Sequence, residues 1–235
     1  TLGAFVDVAA GTLGVDTGTL EVFGADNRGS VEVDSGATLL VLTSAREPGF
    51  MNNDGGTIVG GGTLGVGTLS TSSGTFVPVD DLANGGVGTL TIAGDVFLGD
   101  DGNQLDIDLA GGGGVAGSDH DHLEVQGALS SETSGALTLG TVNLKAVNGY
   151  GGSVGDSFDV VTFDFASDEN ILATVNQVAD FTVEPQVLFI GQDPPVGVFR
   201  LTVASVVAEE PVFECRGGDI CWTADGGDGL WTTPE

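Results

Sequence analysis

One short phrase returns through the first third of the chain and limits what it can fold into. Gly-Thr-Leu occurs at Gly11-Thr12-Leu13, Gly18-Thr19-Leu20, Gly62-Thr63-Leu64 and Gly67-Thr68-Leu69, with a variant at Gly36-Ala37-Thr38-Leu39. Each copy starts with a residue free to take positive φ and continues with a β-branched residue and an apolar one. That order suits a chain that turns and enters a short strand. Val6-Asp7-Val8, Leu20-Glu21-Val22 and Val31-Glu32-Val33 alternate as half-buried strands do. Repetition of this kind predicts stacked rungs in which Leu and Val form a continuous interior ladder and Gly, Asn and Asp form the corners. A β-sandwich with glycine-rich hairpins has the same periodicity. Residues 44–56, with Arg46-Glu47-Pro48-Gly49 and Asn52-Asn53-Asp54-Gly55-Gly56, read as a loop.

From Gly88 the strands lengthen. Leu105, Ile107 and Leu109 alternate with Gln104, Asp106 and Asp108, the pattern expected of an antiparallel sheet with one wet face. The run Gly111–Gly114 ends that strand. Leu123 and Val125 then point inward, with His122 and Glu124 outward, and strands follow around Leu137–Leu139 and Val142–Leu144. Phe158–Phe165 is apolar on both faces and reads as a central strand. Further strands are expected near Ile171–Val175, Phe181–Val183, Val187–Ile190 and Val198–Val206, with Asp193-Pro194-Pro195 as the turn between the last two. No segment combines a helical period with caps. The expected fold is all-β: β-solenoid rungs over 1–76 and a wider β-strand element over 77–206. Residues 207–235 form a linker and the start of a further repeat or contact segment.

Charge narrows the partners. Thirty-four acidic residues against five Lys and Arg leave a net charge of −29, which opposes binding to nucleic acid or an anionic membrane. No apolar run approaches the roughly 20 residues of a membrane span. So few cations cannot neutralise the carboxylates, so the surface is either simply solvated or balanced by ions such as Ca²⁺, which takes several oxygen ligands. The Ca²⁺ candidates are turn carboxylates: Asp80 and Asp81, Asp100 and Asp101 before Gly102-Asn103, Asp119 with Asp121, and Asp225 with Asp228. None reproduces an EF-hand loop, and a turn Asp also serves simply as an Asx-turn residue.

Asp119-His120-Asp121-His122 is the one place where histidines and carboxylates cluster. On a strand, His120, His122 and Glu124 share a face and would offer three ligands to a transition metal. Enzyme readings find less support. A glycosidase needs two carboxyls at a set separation and a sugar platform, yet there is one Tyr, and both Trp residues lie in the tail. The two neighbouring histidines and the Ser residues of glycine turns form no nucleophile elbow. Cys215 and Cys221 favour a disulfide in an oxidising compartment over a metal site, since neighbouring ligands are missing.

Residues 77–165 resemble the C-terminal portion of autotransporter-associated β-strand repeats of secreted and surface bacterial proteins. The elements that carry the likeness are Gly88–Thr91, Gly94-Asp95, Leu105–Leu109, Gly111–Gly114, Asp121–Gly127, Gly135–Leu139, Asn148-Gly149 and Gly155–Phe158. The tail from Trp222 to Trp231 looks like the opening of another repeat, and the chain begins in mid-pattern, as an excised or mature segment does. A Pro-Gly turn usual before the first strand is replaced here by Val77-Pro78-Val79-Asp80-Asp81. The resemblance implies a right-handed β-helix ending in a sandwich-like element. It also implies an extracellular or cell-surface structural role, as part of a fibre, sheath or adhesin. The expected partners are identical or tandem-repeat units. A polysaccharide-acting passenger enzyme, or an adhesin that binds glycans or a host surface, is the alternative.

Overall fold

The computed structural model describes residues 5–44, 47–80, 86–99, 102–131, 137–166, 171–190 and 196–207. All regular structure among them is strand. The chain climbs in passes, each of which crosses one sheet and then another. The first pass holds β1 (Val6–Val8) and β2 (Thr12–Val15), and the second holds β3 (Thr19–Phe23), β4 (Ala25–Asn27) and β5 (Ser30–Val33). The third holds β6 (Thr38–Ser44), the two-residue β7 (Glu47–Pro48), β8 (Phe50–Asp54) and β9 (Thr57–Gly60). Later passes are simpler: β10 (Thr63–Ser72) with β11 (Thr75–Pro78), β12 (Thr89–Leu98) with β13 (Gln104–Leu109), β14 (His122–Ser131) with β15 (Leu137–Ala146), and β16 (Ser157–Ala166) with β17 (Ile171–Asn176). The hairpin strands β18 (Phe181–Ile190) and β19 (Val196–Val206) close the series.

The larger sheet runs β1-β4-β8-β10-β12-β14-β16-β19-β18, with β3, β6 and β7 beside this path. The other contains β2, β5, β9, β11, β13, β15 and β17, one strand from each of seven passes. Neighbouring passes pair in parallel. Among the strands of the described residues, antiparallel pairing is confined to β6 with β7, β16 with β19, and β18 with β19, and an isolated antiparallel bridge joins Leu109 to His120. The Gly-Thr-Leu phrase explains much of the register. Thr19, Thr38, Thr63 and Thr91 stack in one column, and Leu20, Leu39, Leu64 and Ile92 in the next. Leu39, Leu64 and Ile92 are fully buried, and each such side chain contributes about 1.5–3 kcal/mol relative to exposure. A single apolar cluster runs from Val8 to Val203, with Val, Leu and Ile dominating early and Phe158, Phe163, Phe181 and Phe199 filling the last passes.

Three expectations need correction. First, β13 does carry Leu105, Ile107 and Leu109 inward, but both its neighbours, β11 and β15, are parallel to it. Period-two alternation is common to both kinds of ladder, and the chain visits the other sheet between these strands, so no hairpin can join them. Second, the expected loop at 44–56 contains β8, which aligns with the second half of β10 while β6 aligns with the first half. Third, Phe181–Val183 and Val187–Ile190 belong to one strand that continues through Pro185. That is possible because β18 is an edge strand with β19 as its only partner. Phe181, Val183, Leu201 and Val203 of this hairpin are buried in the common core. The expected central position of Phe158–Phe165 holds, since β16 lies between β14 and β19.

Candidate functional site

The polar residues that could do chemistry gather where β13 gives way to β14. After Leu109 the chain leaves its sheet, and backbone bonds from Ala110 and Gly111 N–H to Asp119 O (2.7 and 3.0 Å) and from Asp121 N–H to Asp108 O (3.0 Å) close residues 110–121 into an excursion. The tetraglycine is required by close approach as well as by strand termination. A Cβ at Gly111 would lie 2.8 Å from Asp119 Oδ1, and one at Gly112 would lie 2.5 Å from Asp156 Oδ2.

Asp121 is 3% exposed. Its Oδ1 accepts from Gly88 N–H at 2.7 Å and its Oδ2 from Asp108 N–H at 2.8 Å, so it ties the excursion to the start of β12 and to β13. Burial pushes its carboxyl up to about 7, against the lowering effect of the two N–H donors; Asp108 adds to the rise and Lys145 opposes it. Asp119 accepts from Val115 N–H at 2.9 Å.

His120 is 0% exposed and His122 7%. The expected outward orientation of His122 does not lead to solvent, because β16 covers it. Both rings converge on one backbone carbonyl, that of Asp159: His120 Nε2 at 3.1 Å and His122 Nδ1 at 2.6 Å. A carbonyl only accepts, so these nitrogens carry the protons in the neutral tautomers assigned here. His122 Nε2 then accepts from Thr162 Oγ1 at 3.0 Å, while His120 Nδ1 is buried with no partner. The His120 ring stands edge-on to His122 and to Phe158, with centroids 6.5 and 5.4 Å apart. Burial holds both imidazoles below their ordinary range. The bond to Asp159 opposes this in each; His122 lowers His120 further, and Glu124 works against the shift in His122.

Asp159 joins this cluster to the closing hairpin. Its carboxylate takes Arg200 Nε and Nη2 from β19, at 2.5 and 2.9 Å. Nearby, Tyr150 Oη donates to Asp156 at 2.6 Å, and its ring packs edge-on to Phe158 and Phe181. Burial and the Asp156 carboxylate raise the Tyr150 pKa.

The metal-ligand set anticipated from spacing is not assembled. His120 and His122 turn to Asp159 O, whereas the Glu124 carboxylate takes Thr91 Oγ1 at 3.0 Å. Among the described residues no group of three or more His, Cys, Asp and Glu side chains could share an ion. The carboxylates of Asp119 and Asp121 are engaged by backbone N–H groups, and Asp80 is exposed. Asp81, Asp100, Asp101, Asp225, Asp228, Cys215 and Cys221 lie outside the described residues. Asp121 is the group best poised to exchange a proton near neutrality; both its oxygens accept backbone N–H groups, and it is 3% exposed at the floor of a cleft. That cleft, of about 500 Å³, lies on the outer face and is lined among others by Asp106, Asp108, Asn143 and Lys145.

A second polar array escaped the sequence reading. Asn27, Asn53, Thr71 and Asn103 are buried in one line. Asn27 Nδ2 donates to Asn53 Oδ1 (2.8 Å), Asn53 Nδ2 to Thr71 Oγ1 (3.3 Å), and Thr71 Oγ1 to Asn103 Oδ1 (3.0 Å). A signal was present: Asn27, Asn53 and Thr71 each precede a turn glycine by two or three residues, at Gly29, Gly56 and Gly74. A Cβ at Gly56 would strike the Asn27 amide and one at Gly74 the Asn53 amide, so these two glycines make room for the ladder. No protein-family model matches the chain, and no curated protein matches it either.

Proposed function

We propose that the chain is a non-catalytic structural module of an extracellular or cell-surface bacterial fibre, sheath or adhesin. It is read as a right-handed β-solenoid that runs into a sandwich-like closing element, of the autotransporter-associated repeat type. The observation that carries this reading is the unbroken parallel stacking of seven passes on one core, with a buried amide ladder along it. Such an array provides length and stiffness from local neighbours alone. The two ends differ. Among the described residues the antiparallel β18–β19 hairpin, blunted by Pro185, ends one, where β17 and β18 each have one paired neighbour, and at the other β1, β2 and β3 each pair on one side only. Strands paired on one side only are templates for strand addition, which supports self-association with identical or tandem units through such edges. Multivalent cations such as Ca²⁺ act as counterions to the net charge of −29 and permit close approach.

Light scattering across a concentration series, with and without Ca²⁺, tests the assembly. Oligomers that grow with concentration are expected, and a monomer throughout both series refutes it. A second reading, a glycan- or host-binding adhesin on the same scaffold, is favoured by the cleft in which Asp106, Asn143 and Lys145 stand beside apolar Val77 and Val79. A glycan array separates the two, because only the adhesin retains a sugar.

A further inference from the structure

We propose that residues 110–122 form a proton-operated latch, in which proton uptake by His120 and His122 releases the excursion from β16 and loosens the seam beneath the closing hairpin. The geometry favours the neutral pair, most strongly at His120. A proton added to His120 Nδ1 becomes a buried N–H with no acceptor, beside the Phe158 ring. A proton added to His122 Nε2 obliges the Thr162 hydroxyl that now donates to it to turn and accept instead. Two charged rings 6.5 Å apart would also repel. Once the excursion swings out and His122, at the start of β14, parts from Gly88 and Thr89, both imidazoles reach water and titrate normally.

The charged groups around the pair decide the balance. Asp119 and Asp121 lie on the excursion itself, Glu124 on β14, Asp108 on β13 with Lys145 of β15 at 3.8 Å, Asp159 on β16, and Arg200 on β19. Arg200 occupies the Asp159 carboxylate and Thr91 the Glu124 carboxylate, so neither is free to turn and cap an imidazolium. Because the folded histidines sit below 6.5, the open form binds protons that the closed form lacks once pH falls through 6.5, and closure weakens. Asp121 runs the other way. Its closed-state carboxyl titrates at about 7 against 3.8 when free, so between those values the closed form holds a proton that the open form has lost. Opening below pH 6.5 therefore takes up as many as two protons at the histidines and releases one at Asp121. The sum is nearly flat around neutrality and then rises by up to about tenfold per pH unit in favour of the open form.

Hydrogen exchange followed by mass spectrometry on the full chain, from pH 8 to 4.5 and corrected for intrinsic rates, reads this directly. Peptides covering 110–125 and 157–163 should hold constant protection above pH 6.5 and lose up to about tenfold per unit below pH 6. Peptides from β8 and β9 should not follow. In the double variant His120→Gln, His122→Asn, which keeps a donor for Asp159 O at both positions, acid should no longer open the loop. Asp121→Asn turns its NH2 toward one of the two backbone N–H groups that the carboxylate accepts, so opening should rise at every pH, and the acid slope should steepen towards about a hundredfold per unit, since the opposing proton is gone. Superimposable wild-type and double-variant profiles overturn the latch, as does acid loss spread evenly over all passes. Should the double variant not fold, an NMR titration of the wild-type imidazoles decides: a folded-state midpoint at or above 6.5 for both rings refutes the proposal.

Discussion

Replacing Asn53 by Ala tests whether the buried amide ladder holds the passes together. Asn53 is 0% exposed; its Oδ1 takes the Asn27 amide at 2.8 Å and its Nδ2 reaches Thr71 Oγ1 at 3.3 Å. Two hydrogen bonds are lost, each with a net value of about 1 kcal/mol. One Asn27 N–H keeps Thr57 O at 3.0 Å, but the other is left buried without an acceptor, at about 1–3 kcal/mol. Thr71 still donates to Asn103, so its loss is small. Discounting overlap between the lost bond and the orphaned donor, the expected destabilisation is about 2–4 kcal/mol. Equilibrium urea unfolding, with m-values checked for constancy, measures it. The double variant Asn27→Ala, Asn53→Ala should be destabilised by less than the sum of the singles, with a coupling of about 1–2 kcal/mol, because removing both partners leaves no orphan between them. A cost for Asn53→Ala below about 0.5 kcal/mol, or full additivity, refutes the view that the ladder is a coupled, desolvated network.

Leu64→Ala, in the middle of the Leu20–Leu39–Leu64–Ile92 column, should cost about 2–5 kcal/mol in the same assay, against less than about 1 kcal/mol for the Leu-to-Ala change at half-buried Leu13 near the open end. Gly140→Ala should fail to give a cooperative thermal transition at the wild-type temperature. Residue 140 has φ +83° at a register shift in β15, and a Cβ there would run into the Asn103 carbonyl. Arg200→Met removes the clamp on Asp159, whose side chain and partner are each about one-third exposed (34% and 30%). The expected loss of about 1 kcal/mol should shrink between low and high salt, and a salt-independent loss would assign the effect to packing instead.

Much of this protein is legible because its strands obey a period of two and its turns need glycine. The inward sets Leu105, Ile107, Leu109 and Leu123, Val125 follow from alternation alone. Gly-Thr-Leu repetition also anticipates the columns, since identical phrases stack best on themselves. The resemblance of residues 77–165 to autotransporter-associated repeats supplies an expected order of strands and turns. It did not reveal that the Asp121 position anchors two backbone N–H groups, or that the histidines beside it are buried.

What the sequence by itself determined was an all-β chain, its inward residues and its acidic surface, because those depend on neighbours along the chain. Partner choice depended on tertiary structure. Alternation does not distinguish a parallel neighbour from an antiparallel one, so β13 was assigned the wrong kind of ladder until its crossover through the other sheet was known. Polar residues were misread for the same reason. Asn53 suggests a loop and His122 a wet face, yet stacking supplies Asn27 and Thr71 to one and Asp159 and Thr162 to the other. A polar side chain is buried when the fold brings it a partner, and those partners lie between 18 and 40 residues away in the chain.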